Sequence, residues 1–101
     1  MDKPVIVTSK KGERLEIAVK AVPGWEGFDE LISYLIQHYE ATVLKELDGP
    51  DARRWILKCH DQIIEVHHDD MFGNYLFAPT LESEEVIREI AQDLGERFSN
   101  I

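Results

Sequence analysis

The chain has 101 residues, enough for one domain spanning residues 1–101 and no second one. Eleven Lys and Arg face twenty Asp and Glu, a formal net charge of −9, which argues against nucleic-acid or anionic-membrane partners because both need a cationic surface. Apolar residues make up 44%, so a core can form, and collagen-like, coiled-coil and disordered chains are excluded. The single cysteine, Cys59, allows no intrachain disulfide and points to a reducing compartment. No cationic n-region plus apolar stretch follows Met1-Asp2-Lys3-Pro4, so a signal or transit peptide is not expected, and no apolar run approaches the ~20 residues of a membrane span. The expectation is a soluble cytoplasmic protein.

Val5 to Thr8 is a β-branched run, and Ser9-Lys10-Lys11-Gly12 reads as a hairpin loop. Leu15, Ile17, Val19 and Ala21 then alternate with polar or small residues, the period of a strand with one buried face. Pro23-Gly24 ends it. Over residues 26–40 the period changes. Phe28, Leu31, Ile32, Leu35, Ile36 and Tyr39 form one apolar stripe on a helix. Trp25 precedes that helix and is expected to staple it near Asp29 or Glu30.

Residues 42–47 suit a strand, and Asp48-Gly49-Pro50-Asp51 is a turn. Residues 53–59 form the next strand, with Trp55, Leu57 and Cys59 on one face. His60-Asp61-Gln62 reverses the chain, 63–68 returns, 69–73 is a loop, and 75–78 is a last strand stopped by Pro79. Residues 81–98 form a second helix. Thr80 or Ser83 caps it, Val86, Ile87, Ile90, Leu94 and Phe98 face the sheet, and Gly95 marks a fraying point. The order ββ-α-ββββ-α with hairpin-length loops predicts an α+β two-layer sandwich. Its sheet is mainly antiparallel, and both helices cover one face because each has one apolar stripe. The other face is expected to be mixed and partly wet.

His60, His67 and His68 with Asp69 and Asp70 concentrate imidazole and carboxylate, the ligands of zinc, manganese or iron. Neighbours on a strand point apart, so His68 pairs with Asp70 and His67 with Asp69, and His60 would have to join across the hairpin. A metal-dependent enzyme using His60, His68 and Asp70 is therefore an alternative reading, while no cofactor is assigned. Residues 69–74 fail as a calcium loop, because Met71 stands where an oxygen ligand is required. Met71 and Phe72 are expected to tuck under this loop, the alternative being an exposed contact patch. Cys59 reads as core rather than nucleophile, Trp55 as core, and His38 as solvated. No nucleophile elbow, phosphate loop or zinc knuckle is present.

Leu47-Asp48-Gly49-Pro50-Asp51-Ala52-Arg53, Trp55, Asp69-Asp70-Met71 and Gly73-Asn74-Tyr75 together resemble short acidic bacterial proteins classed as α/β domains without assigned activity. The resemblance covers about the second half of the chain and transfers no catalytic residue. In size and acidity the chain also looks like bacterial immunity proteins, which neutralise a toxin partner.

The favoured reading is a non-enzymatic module that binds a protein partner, expected to be a basic one, in an immunity-like, inhibitor-like or regulatory role. Asp69, Asp70, Met71, Phe72, Glu82 and Glu85 are its candidate contacts, because acidity is concentrated in the second half of the chain. A homodimer joined by a sheet edge or face is the third reading.

Overall fold

The computed structural model describes residues 6–11, 14–20, 23–71 and 73–99. Its elements are β1 (Ile6–Lys11), β2 (Arg14–Val19), α1 (Gly24–Tyr39), β3 (Thr42–Asp48), β4 (Ala52–Cys59), β5 (Gln62–Asp69), β6 (Gly73–Phe77) and α2 (Leu81–Ser99). They form the α+β two-layer sandwich that the sequence predicts. The strands make one antiparallel sheet in the order β1-β2-β6-β5-β4-β3. α1 carries the chain from the β1–β2 hairpin to the far edge, and the β3–β6 meander brings it back until β6 pairs with β2. Among the described residues no helix is long and apolar enough to cross a membrane.

One core lies between the sheet and the two helices. β2 supplies Leu15, Ile17 and Val19, β4 Leu57 and Cys59, β5 Ile64 and Val66, and β6 Leu76. Phe28, Leu31, Ile32 and Leu35 of α1, with Val86, Ile87, Ile90 and Leu94 of α2, close over them. The 3.6-residue stripes of both helices thus meet one sheet face. Val5, Ala21 and the side chain of Phe98 lie outside the described residues.

Several details differ from the sequence reading. β1 runs on through Ser9, Lys10 and Lys11, which pair with β2 instead of forming a loop. Ile36 is 46% exposed, because it stands one position round from Leu35 at the margin of the stripe, where no neighbour covers it. α1 starts at Gly24, so Trp25 lies inside the first turn and does not staple the helix from outside. Gly24 has φ +79°, a value natural to glycine alone, which lets the helix start directly after Pro23. Glu40 closes α1 in the left-handed region, its N–H donating to the Leu35 carbonyl.

α2 is capped by both expected residues at once. Ser83 N–H donates to Thr80 Oγ1 at 3.2 Å and Thr80 N–H to Ser83 Oγ at 3.2 Å, a reciprocal capping box. The helix runs past Gly95 to Ser99, close to the 81–98 that the sequence suggests. His60 and Asp61 both have positive φ (51° and 62°), giving a two-residue hairpin whose twist matches the flanking strands.

Candidate functional site

Two sequence doublets on β4 and β5 are split by the pleat. Arg53 pairs in register with His68, and Arg54 with His67. Arg53 and His68 face the helices, whereas Arg54 and His67 face away.

The inward pair builds one end of the molecule. Arg53 is buried, with its guanidinium carbon 4.3 Å from the Phe28 ring centroid, 4.5 Å from Trp25 and 5.0 Å from Trp55. Nη1 donates to Asp29 Oδ1 at 2.9 Å and Nε to Asp48 Oδ1 at 3.0 Å. Trp55 Nε1 donates to the same Asp48 oxygen at 2.8 Å, and these hydrogen bonds hold the Asp48 carboxyl below its ordinary range. Trp55 is half-buried against the core. Beside this cage His68 is 5% exposed. Its Nδ1 lies 2.8 Å from Asn74 Oδ1 and its Nε2 3.1 Å from Asp70 Oδ1. Asn74 Nδ2 donates to the Gly24 carbonyl at 3.0 Å, tying β6 to the start of α1. Trp25 meets the His68 ring edge-on at 5.5 Å.

This polar scaffold fixes the β5–β6 loop. Met71 N–H donates to Asp69 Oδ1 at 2.8 Å, Asp70 N–H to the Asp51 carbonyl at 3.3 Å, and Gly73 takes φ +82°. Met71 does not tuck under the loop: it is 86% exposed. The buried groups beside the loop are polar, His68 and Asn74, which are hydrogen-bonded to each other. Phe72 lies outside the described residues. A cavity of about 380 Å³ opens between this loop and the α1 start, bordered by Lys20, Trp25, His68, Asp70, Met71 and Asn74. Trp25 is 41% exposed at its margin. The cavity's acidic lining residues are Asp69 and Asp70, both of the loop end, and Lys20 is its basic one.

The remaining candidates lie elsewhere. His60 sits in the β4–β5 turn, at the opposite end of β5 from His68, with its ring 5.7 Å from Tyr39. A strand rises about 3.3 Å per residue, so His60 is about 20 Å from His68 and does not complete a ligand set with His68 and Asp70. His67 pairs with Glu65 rather than Asp69. Among the described residues no three His, Cys, Asp or Glu groups stand together to hold a metal. Glu82 and Glu85 belong to the first turns of α2, beyond the far end of β6 from the loop, so they share no patch with Asp69 and Asp70. Cys59 is 1% exposed, and burial, with the charge of Glu89, pushes its thiol up, away from nucleophilic use. His38 is exposed and its ring lies 4.5 Å from that of Tyr34.

The outward pair forms a network that the sequence reading missed. Glu65 is 6% exposed although its sheet face carries no helix. Arg54 holds it from two nitrogens, Nε at 2.9 Å and Nη2 at 3.4 Å, and His67 Nε2 lies 2.8 Å away. His67 Nδ1 is 3.2 Å from Tyr75 Oη. Burial pushes the Glu65 carboxyl up, but the bonds and charges of Arg54 and His67 outweigh it and hold it below its ordinary range. Burial pushes the Tyr75 phenol up, so it is no ready nucleophile. The one signal in the sequence was Glu65 within an otherwise β-branched run, Ile63-Ile64-Glu65-Val66.

A third polar contact joins the helices. Tyr34 and Tyr39 both donate to Asp93 Oδ2, with Arg97 on the other Asp93 oxygen at 3.1 Å. Burial first, and then the bond to Asp93, push the Tyr34 phenol up to about 12. This group clamps α2 to α1.

Comparison with protein-family models, with curated proteins and with solved structures finds no match.

Proposed function

We propose that the protein is a non-enzymatic binding module of the immunity, inhibitor or regulatory kind, which docks a basic protein partner through the end formed by the β5–β6 loop and the start of α1. The observation that carries this reading is Met71. A loop held by side-chain and backbone hydrogen bonds keeps a large apolar side chain 86% exposed, next to a half-exposed indole. Apolar anchors ringed by charge are the pattern of a recognition surface. The surrounding carboxylates would speed encounter with a positively charged surface. A catalytic reading has less support, because the carboxylates held below their ordinary range are engaged in fixed pairs: Asp48 with Trp55 and Arg53, Glu65 with Arg54 and His67, and Asp93 with Tyr34, Tyr39 and Arg97.

The test compares baits in the native host's lysate: the wild-type chain, Met71→Glu, and Glu82→Gln plus Glu85→Gln as a control on the acidic helix. A basic protein retained by wild type and the control but lost with Met71→Glu supports the reading. Capture that ignores Met71 sinks it. With the purified partner, the association rate should fall as salt rises, since exposed charges are screened over about 8–10 Å at moderate ionic strength.

A further inference from the structure

Resting on that reading, we infer that the cleft between Trp25 and Met71 is a socket for one arginine side chain of the partner. The cavity of about 380 Å³ has an indole and a thioether at its rim and carboxylate at its wall. Trp25 already accepts a guanidinium: the carbon of the buried Arg53 lies 4.5 Å from the ring centroid. Trp25 is 41% exposed and borders the cleft. Stacking on the indole suits a planar, weakly hydrated guanidinium better than an ammonium. Asp70 Oδ1 lies 3.1 Å from His68 Nε2 and the Asp70 side chain is 64% exposed, so the carboxylate can still receive a charge-assisted bond from a ligand. Met71 can lie along the apolar stem of the incoming side chain, as a flexible thioether adapts to irregular surfaces. Lys20 also borders the cleft and opposes a cation, so its removal should strengthen binding.

The experiment is an NMR titration of the full chain with acetyl-leucyl-arginine amide and with the same peptide carrying citrulline, which keeps the shape and removes the charge. The arginine peptide should move the Trp25 indole N–H and Met71 signals. It should leave the Trp55 indole, bonded to Asp48, in place. Asp70→Asn should weaken binding by about threefold to tenfold, and Lys20→Ala should tighten it by about twofold to threefold. Equal response to the citrulline peptide overturns the inference. So does no movement of Trp25 up to about 10 mM, a range that captures weak fragments, or a response confined to Glu82 and Glu85. These outcomes are separable from failure of the docking reading. A Met71-dependent partner that binds equally well after its arginines are replaced by glutamine keeps the docking and removes the socket. Arginine-peptide binding without any Met71-dependent partner does the reverse.

Discussion

Arg53–His68 and Arg54–His67 are the same two residue types, paired in the same register and adjacent along the same strands, yet the pleat gives them opposite duties. On the helix side the buried member is the cation. Arg53 sits under three aromatic rings, while its partners Asp29 and Asp48 are about half exposed. On the open side the buried member is the anion. Glu65 is covered, while Arg54 is half exposed. Removing an exposed partner strands the buried charge, and the cost depends on how many partners remain. Arg53 has two carboxylates and aromatic faces in reserve. Glu65 keeps only His67 when Arg54 is lost.

The largest expected effect concerns another pair of neighbours that the fold separates. Leu35 is fully buried and Ile36 is 46% exposed. Leu35→Ala should cost about 2–5 kcal/mol by urea unfolding, and Ile36→Ala less than about 1 kcal/mol. Equal losses would show that Ile36 packs as the apolar stripe alone implies.

Next comes Arg54→Ala, with an expected loss of about 1–3 kcal/mol near neutral pH from stranding Glu65. Its pH dependence separates this cause from lost packing. The Glu65 carboxyl is held below its ordinary value of 4.5 in the folded wild type, so its contribution is present above that value and is lost as pH falls through the lowered one. Arg54→Ala removes much of the lowering but none of the burial. The gap between the two melting temperatures should therefore be widest near pH 7 and narrow as pH drops below 4.5. A gap that stays constant across this range would mean that Arg54 acts through its stem. Replacing the pair together, Arg54→Met with Glu65→Val, should recover most of the loss.

Asp29→Asn and Asp48→Asn should each change stability less than Arg54→Ala does. Each leaves Arg53 one carboxylate and its aromatic faces, and an Asn oxygen still accepts a hydrogen bond. The double variant should lose clearly more than the sum of the single ones, because only then does Arg53 lack any anion. Additive losses would mean that the two carboxylates act independently and that the asymmetry with Glu65 is smaller than drawn.

What the sequence makes legible follows the range of the forces involved. The alternation Leu15, Ile17, Val19 and the stripe Phe28, Leu31, Leu35 are local periodicities, so β2, α1 and their buried faces are readable directly. So is the separation of His67 from His68, which needs only the pleat. The insertion of β6 between β2 and β5 is not readable, because it is set by a pairing across some sixty residues, Glu16 with Phe77. Ile36 fails for a related reason: periodicity places it on the stripe's margin, but only the neighbouring layer decides whether a margin is covered. The end proposed to dock a partner is half legible. Asp69, Asp70 and Met71 stand out as acids beside an apolar tip, but Trp25 joins them through contacts far apart in sequence: Asn74 reaches the Gly24 carbonyl from fifty residues away, and Arg53 and His68 meet the Trp25 ring.

The smallest expected effect on the fold is the most informative about that end. Asp69→Asn plus Asp70→Asn keeps an amide oxygen where each carboxylate accepts, from Met71 N–H and opposite His68 Nε2. The melting temperature should move by no more than about 2–4 °C, since a change within about ±0.5 kcal/mol corresponds to a shift of that size in a domain of this length. Met71→Ser should be equally quiet, because an 86% exposed side chain has little burial to lose. Binding should respond differently to the two. The Asn pair should slow association with a basic partner, an effect that fades as salt rises. Met71→Ser should hasten dissociation at any salt, because the lost contact is apolar and short-ranged. A fall of many degrees on Asp69→Asn plus Asp70→Asn would show that the two charges hold the loop to His68 and the β3–β4 turn. The end would then belong with Arg53 and Glu65, whose ionic groups serve the fold, and Met71 would stand exposed as a by-product of a polar scaffold.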